Sequence, residues 1–132
     1  MNQPYQSFTE LEVWKKAREL KKEIALLVKN FPEVEKYRLT DQLIRSSRTI
    51  NSSIAEGHGR FTVNDQNHFC IIARGSLSET HNHLIDAFDE SYITEQQLDY
   101  FKLKIDEVGR LLNGYITYLR KTKLPDAIRK FR

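Results

Sequence analysis

The sequence predicts an all-α fold, an antiparallel up-down-up-down four-helix bundle, and three observations predict it. Apolar residues recur every three to four positions in four segments, helix-start signals stand at the heads of those segments, and the connections between them are short. Short connections favour consecutive helices that run in opposite directions. At 132 residues the chain is one domain, 1–132, long enough to bury a core without metals or crosslinks. Its helices are expected over about 10–30, 40–56, 64–91 and 94–122, followed by a basic tail, about 123–132.

The first helix opens at Thr9-Glu10-Leu11-Glu12, which reads as a capping box with Phe8 and Val13 as its hydrophobic staple. Leu11, Trp14, Ala17, Leu20, Ile24, Leu27 and Val28 keep to one side, and Phe31-Pro32 ends the helix because a residue before proline disfavours helical dihedrals. Thr40 is the expected cap of the second helix, with Leu39 and Ile44 as staple. The apolar face of that helix is thin (Leu39, Leu43, Ile50, Ile54), and Ser46, Ser47, Thr49, Ser52 and Ser53 between these positions are small enough to admit a neighbouring backbone. Gly57-His58-Gly59-Arg60 reads as a turn, since glycine tolerates left-handed dihedrals.

In the third helix Phe69, Ile72, Ala73, Ser76, Thr80, Leu84 and Ala87 form one stripe, flanked by Cys70, Leu77 and Phe88. The fourth begins with a second capping box, Thr94 to Gln97, and continues as Leu98, Phe101, Ile105, Val108, Leu112, Tyr115 and Leu119. Steps of alternately three and four residues keep a seam facing a partner only in a helix of a left-handed bundle. Burying each of these side chains contributes about 1.5–3 kcal/mol gross, most of it offset by conformational entropy.

Composition excludes several function classes. No apolar run approaches the roughly 20 residues that span a bilayer, and the polar start Asn2-Gln3-Pro4 does not resemble a signal peptide, so a cytoplasmic protein is expected. Cys70 is the only cysteine, which rules out an intrachain disulfide and a cysteine-based zinc pattern. His58, His68, His81 and His83 are nowhere three or four apart, no Glu-x-x-His motif occurs, and Gly57-His58-Gly59 lacks a phosphate-loop lysine. Neither a catalytic residue, a metal nor a cofactor is assigned, and the protein is expected not to be an enzyme.

The formal net charge of +3 is unevenly spread. From Arg110 onward seven basic residues face only Asp126, leaving the rest of the chain at −3. Arg120, Lys121, Lys123, Arg129, Lys130 and Arg132 are therefore the candidate nucleic-acid-binding residues, a basic arm suited to phosphates. The basic residues of the first helix, Lys15, Lys16, Arg18, Lys21 and Lys22, alternate with Glu12, Glu19 and Glu23 and read as a solvated face. Arg45 and Glu56 in the second helix, opposite Arg74 and Glu79 in the third, read as an interhelical polar network, because a charge near an apolar face must be paired or solvated. Ile71, Ile85, Leu111, Ile116 and Tyr118 exceed what one core stripe needs, and Gly75, Gly109 and Gly114 sit inside helices at a cost of about 1 kcal/mol each, so a homo-oligomer is expected.

Several segments carry a family likeness: Leu11-Glu12-Val13-Trp14-Lys15-Lys16-Ala17, Phe31-Pro32 with Glu35 and Tyr37, Leu39-Thr40-Asp41-Gln42-Leu43, Ile54-Ala55-Glu56-Gly57, and Phe69 leading to Ala73-Arg74-Gly75-Ser76-Leu77-Ser78-Glu79. Over about Phe8 to Leu119 the chain resembles the bacterial four-helix-bundle proteins encoded in intervening sequences of large-subunit ribosomal RNA genes. Two departures fall in the second helix: Arg48, where the family commonly has a small apolar residue, and Asn51-Ser52-Ser53, where a proline and an asparagine are common.

The resemblance implies a ring-shaped homopentamer without enzymatic activity. A related protein, the accessory variability determinant of diversity-generating retroelements, assists a reverse transcriptase through a basic surface. By that analogy the partners implied are RNA or DNA and a nucleic-acid enzyme, with no membrane. The alternative is a protein-interaction scaffold with no nucleic-acid role.

Overall fold

The structure is a computed structural model, and it describes residues 6–122. Four helices make the fold: α1 (Glu12–Leu27), α2 (Leu39–His58), α3 (Val63–Asp89) and α4 (Glu95–Lys121), with no strand among the described residues. Single 3-10 turns precede α1 and occupy the link from α1 to α2. Each helix packs on its neighbour in sequence, and α1 also packs on α4, so the four enclose one core. Leu20 and Ile24 of α1, Leu43, Ile50 and Ile54 of α2, Leu84 of α3 and Val108 and Leu112 of α4 are fully buried there. Burial of these apolar side chains is the main force that binds the helices.

The helix starts show which capping signals the chain uses. At α4 the expected box forms: Thr94 Oγ1 accepts from the Gln97 N–H at 3.1 Å, and Gln97 Oε1 accepts from the Thr94 N–H at 2.8 Å. Thr62 caps α3 by accepting from the Asp65 N–H at 3.1 Å. The box expected at Thr9 does not form. Ser7 Oγ accepts from the Thr9 N–H at 3.2 Å and starts a separate turn over Phe8–Glu10, while α1 begins after Leu11 with no side-chain cap. Phe8 accordingly meets Trp14 edge-on, ring centroids 5.3 Å apart. Thr40 is not the cap of α2 either. The helix starts one residue earlier, at Leu39, whose N–H donates to Glu35 Oε1 at 3.3 Å from the preceding turn.

The seam between α2 and α3 is built from small residues. Ser46, Ser47, Ser53, Ser76 and Thr80 are all buried. Thr80 Oγ1 lies 2.8 Å from both Ser46 Oγ and the Ser76 carbonyl, and Ser47 donates to the Ile44 carbonyl at 3.1 Å. Gly57 belongs to this seam and not to a turn. It lies inside α2, no glycine has a positive φ, and a Cβ built on it would stand 2.9 Å from Phe69 Cβ and 3.0 Å from the Gln66 carbonyl oxygen. Its missing side chain, not its backbone freedom, is what the fold requires. The left-handed backbone occurs instead at Ser91, φ 65°, in the link to α4.

The α4 seam follows the spacing read from the sequence: Phe101, Ile105, Val108, Leu112 and Leu119 are buried, and Leu98 and Tyr115 are half-buried. Ile116, expected as surplus surface, is a core residue at 4% exposure because α4 turns a second column inward beside the first. On α3 the expected stripe narrows, with Ile72 and Phe88 exposed at its edge. Both departures in α2 are accommodated within an unbroken helix: Arg48 points to solvent, and Asn51 is buried with its Nδ2 donating to the Trp14 carbonyl at 3.1 Å.

Candidate nucleic-acid interface

The last turn of α4 carries Arg120 and Lys121, both exposed, and Arg110 is exposed on the same helix. No carboxylate among the described residues pairs with any of the three. Cations in the last turn of a helix also favour its negative dipole end, so part of their effect is on the helix itself. Lys123, Arg129, Lys130 and Arg132, the rest of the candidate arm, lie outside the described residues.

Arg45, Glu56, Arg74 and Glu79 do not form an interhelical network. Arg45 pairs with Asp41 (3.6 Å), Glu56 with Arg60 (3.6 Å) and Glu79 with His83 (3.2 Å), in each case one helical turn away, and Arg74 is exposed. The physical reason is the close α2–α3 approach: small residues fill the contact, and the charges stay on its solvated rims, where the nearest partner is four residues away in the chain.

In the sequence the outer face of α1 reads as a solvated face of mixed charge. Folded, that helix separates its charges. Lys15, Arg18 and Lys22 stand at i, i+3 and i+7 on the face opposite Val13, Ala17, Leu20 and Ile24, and together with Thr9, Trp14 and Glu19 they line one open groove of about 390 Å³. Arg18 lies over the Trp14 ring, its Cζ 5.6 Å from the centroid. Glu19, at the groove's edge, pairs with Lys16 at 3.4 Å, and Glu23 pairs with Lys104 at 3.6 Å and accepts from the Tyr100 hydroxyl. The i, i+3, i+7 spacing of the three cations was the available signal.

Groups with latent chemistry are tied down by packing. Burial pushes the Cys70 thiol up to about 11 and the Tyr115 phenol up to about 12. A thiol so raised is not a nucleophile near neutral pH. His83 is buried against Glu79, with Asp86 3.8 Å from its Nδ1. Among the described residues no three His, Cys, Asp or Glu side chains come together to hold a metal ion, and no helix is long and apolar enough to cross a membrane.

With this geometry in hand, comparison with known proteins places the chain. A solved structure from Bacteroides thetaiotaomicron, described as a protein of unknown function from the S23 ribosomal protein family, superposes with a TM-score of 0.74 at 25% identity, covering 80% of this chain and 95% of that one. No curated protein matches the sequence. The family model for the 23S rRNA-intervening sequence protein matches residues 9–114, from the turn before α1 into the last third of α4. The chain therefore belongs to the 23S rRNA-intervening sequence protein family.

Proposed function

We propose that this chain is a non-enzymatic, oligomeric bundle of the cytoplasm that binds structured RNA, alone or as the accessory of a nucleic-acid enzyme. The observation that carries the reading is the unpaired basic end of α4, Arg110, Arg120 and Lys121, continued in sequence by Lys123, Arg129, Lys130 and Arg132. Phosphate contacts of this kind supply sequence-independent affinity that falls with salt. The family description, which names a ribosomal RNA insert, supports the same partner class.

Assembly is part of the proposal, because a ring of copies multiplies a weak arm into useful avidity. In the bundle that we propose, consecutive helices alternate in direction. Asn51 late in α2 reaches Trp14 early in α1, and Thr80 late in α3 reaches Ser46 early in α2, which supports this order. A homopentamer follows from the resemblance. Exposed Ile71, Ile72, Leu103 and Tyr118 support a contact between copies, as do Gly75 and Gly114, around which a Cβ would meet nothing within 4 Å.

The test is a titration of a labelled RNA hairpin at two salt concentrations, with light scattering on the same preparation. Binding should weaken steeply with salt, and more than tenfold when Lys121, Lys123, Arg129 and Lys130 are changed to Gln. No binding at low salt, or binding indifferent to those four changes, removes the RNA reading and leaves a protein-interaction scaffold; a monomer in scattering removes the ring.

A further inference from the structure

We propose that the outer face of α1 is a second nucleic-acid contact, a short track on which Lys15, Arg18 and Lys22 hold the phosphate backbone of RNA. It rests on the RNA reading above but concerns a different surface, built by another helix.

The alternative, a merely solvated face, does not account for how the charges are arranged. Like charges at i, i+3 and i+4 repel and cost an isolated helix a few tenths of a kcal/mol per pair. A helix that only needed solubility would pair these cations with its acids. Here Glu19, although it lines the same groove, pairs with Lys16, Glu23 is bonded to Lys104 and Tyr100, and no carboxylate pairs with Lys15, Arg18 or Lys22 among the described residues. The column is thus left repulsive in the free protein, and a polyanion laid along it relieves that repulsion.

Its dimensions and chemistry suit a sugar-phosphate strand. Lys15 to Lys22 covers about 10 Å of helix axis at 1.5 Å per residue, enough to meet more than one neighbouring phosphate of a strand. Arg18 lies over the Trp14 indole, itself braced edge-on by Phe8, which limits where its guanidinium fork can go and favours its meeting phosphate oxygens in the groove. An acidic protein segment would want apolar anchors beside its charges, and around these cations the groove offers only Trp14.

Trp14 is the sole tryptophan of the chain, so its fluorescence reports on this groove alone. The full-length protein is titrated with an RNA hairpin while Trp14 emission and RNA anisotropy are followed together. The expected result is a salt-sensitive change in Trp14 emission that persists when the C-terminal arm is neutralised. In the triple variant K15Q, R18Q, K22Q the slope of log affinity against log salt should shrink by about 2–3, with helicity by circular dichroism unchanged.

Anisotropy that rises while Trp14 stays silent, with the salt slope of the triple variant unchanged, overturns this proposal and leaves the arm in place. Absence of any anisotropy change in the wild type overturns both. A response to polyglutamate equal to that for RNA at matched charge overturns the choice of RNA in favour of an acidic protein.

Discussion

Along α2 and α3 the side chains that meet are small and hydroxylated, Ser46, Ser76 and Thr80, whereas along α4 they are large and apolar, Phe101, Ile105, Leu112 and Leu119. The first seam is held by closeness of approach, with the Thr80 hydroxyl against both the Ser46 hydroxyl and the Ser76 carbonyl so that its burial costs little. The second is held by volume. The difference teaches which errors each seam tolerates: a volume-filled seam suffers when atoms are removed, and a closely approached one suffers when atoms are added.

The largest expected effect tests the volume side. Leu112→Ala, at a fully buried position, should cost about 2–5 kcal/mol in chemical denaturation, by lost transfer energy and the cavity left behind; a cost under 1 would mean that the seam relaxes freely. Alkaline titration comes next. Cys70 beside the α4 seam has its thiol raised by burial to about 11 from an ordinary value of 9.0, so the unfolded chain ionises first. Stability is full below pH 9 and declines by about 2–3 kcal/mol as pH rises toward 11. Cys70→Ala should remove that part of the decline, and the hydroxyl seam has no group that titrates with it.

On the other seam, Gly57→Ala gains about 1 kcal/mol of helix propensity but sets a Cβ against Phe69 and the Gln66 carbonyl, at an overpacking cost of about 1–3 kcal/mol. A net loss of about 1 kcal/mol is expected, and a raised melting midpoint would break the comparison. The smallest effect sharpens it. Gly75→Ala and Gly114→Ala, where a Cβ meets nothing within 4 Å, should stabilise the single chain by about 0.5–1 kcal/mol in thermal melts at high dilution. If copies pack on those positions, the same changes weaken assembly in scattering.

What was legible in the sequence was what depends on spacing along one helix. The α4 seam and its Thr94–Gln97 box can be read in order because both are set by residues three and four apart. What was not legible depends on who faces whom. Gly57 reads the same whether a turn needs a left-handed backbone or a neighbour needs the space of a side chain, and only the position of Phe69 decides. Thr9 and Thr40 have the residue types of caps, yet Ser7 and Glu35 reach the free N–H groups near them first. The arm at the end of α4 is visible as a run of like charge, while the α1 column is hidden by acids adjacent in sequence whose partners, Lys16 for Glu19 and Lys104 for Glu23, only the fold reveals.

Glu35 has a consequence beyond its role at the head of α2. One oxygen accepts from the Leu39 N–H, and the other accepts from the Tyr92 hydroxyl at 2.8 Å, with Phe31 against the Tyr92 ring at 5.4 Å. A single carboxylate thereby clasps the link that joins the first two helices to the link that joins the last two, and fixes the relative heights of the two halves. Insertions into either link would pull that clasp apart, whereas residues 59–62, at the remaining crossover, are tied only to the helix ends they join, through Arg60 with Glu56 and Gln66 and through Thr62. Loop length in relatives should therefore vary at that crossover and hold constant around Glu35 and Tyr92.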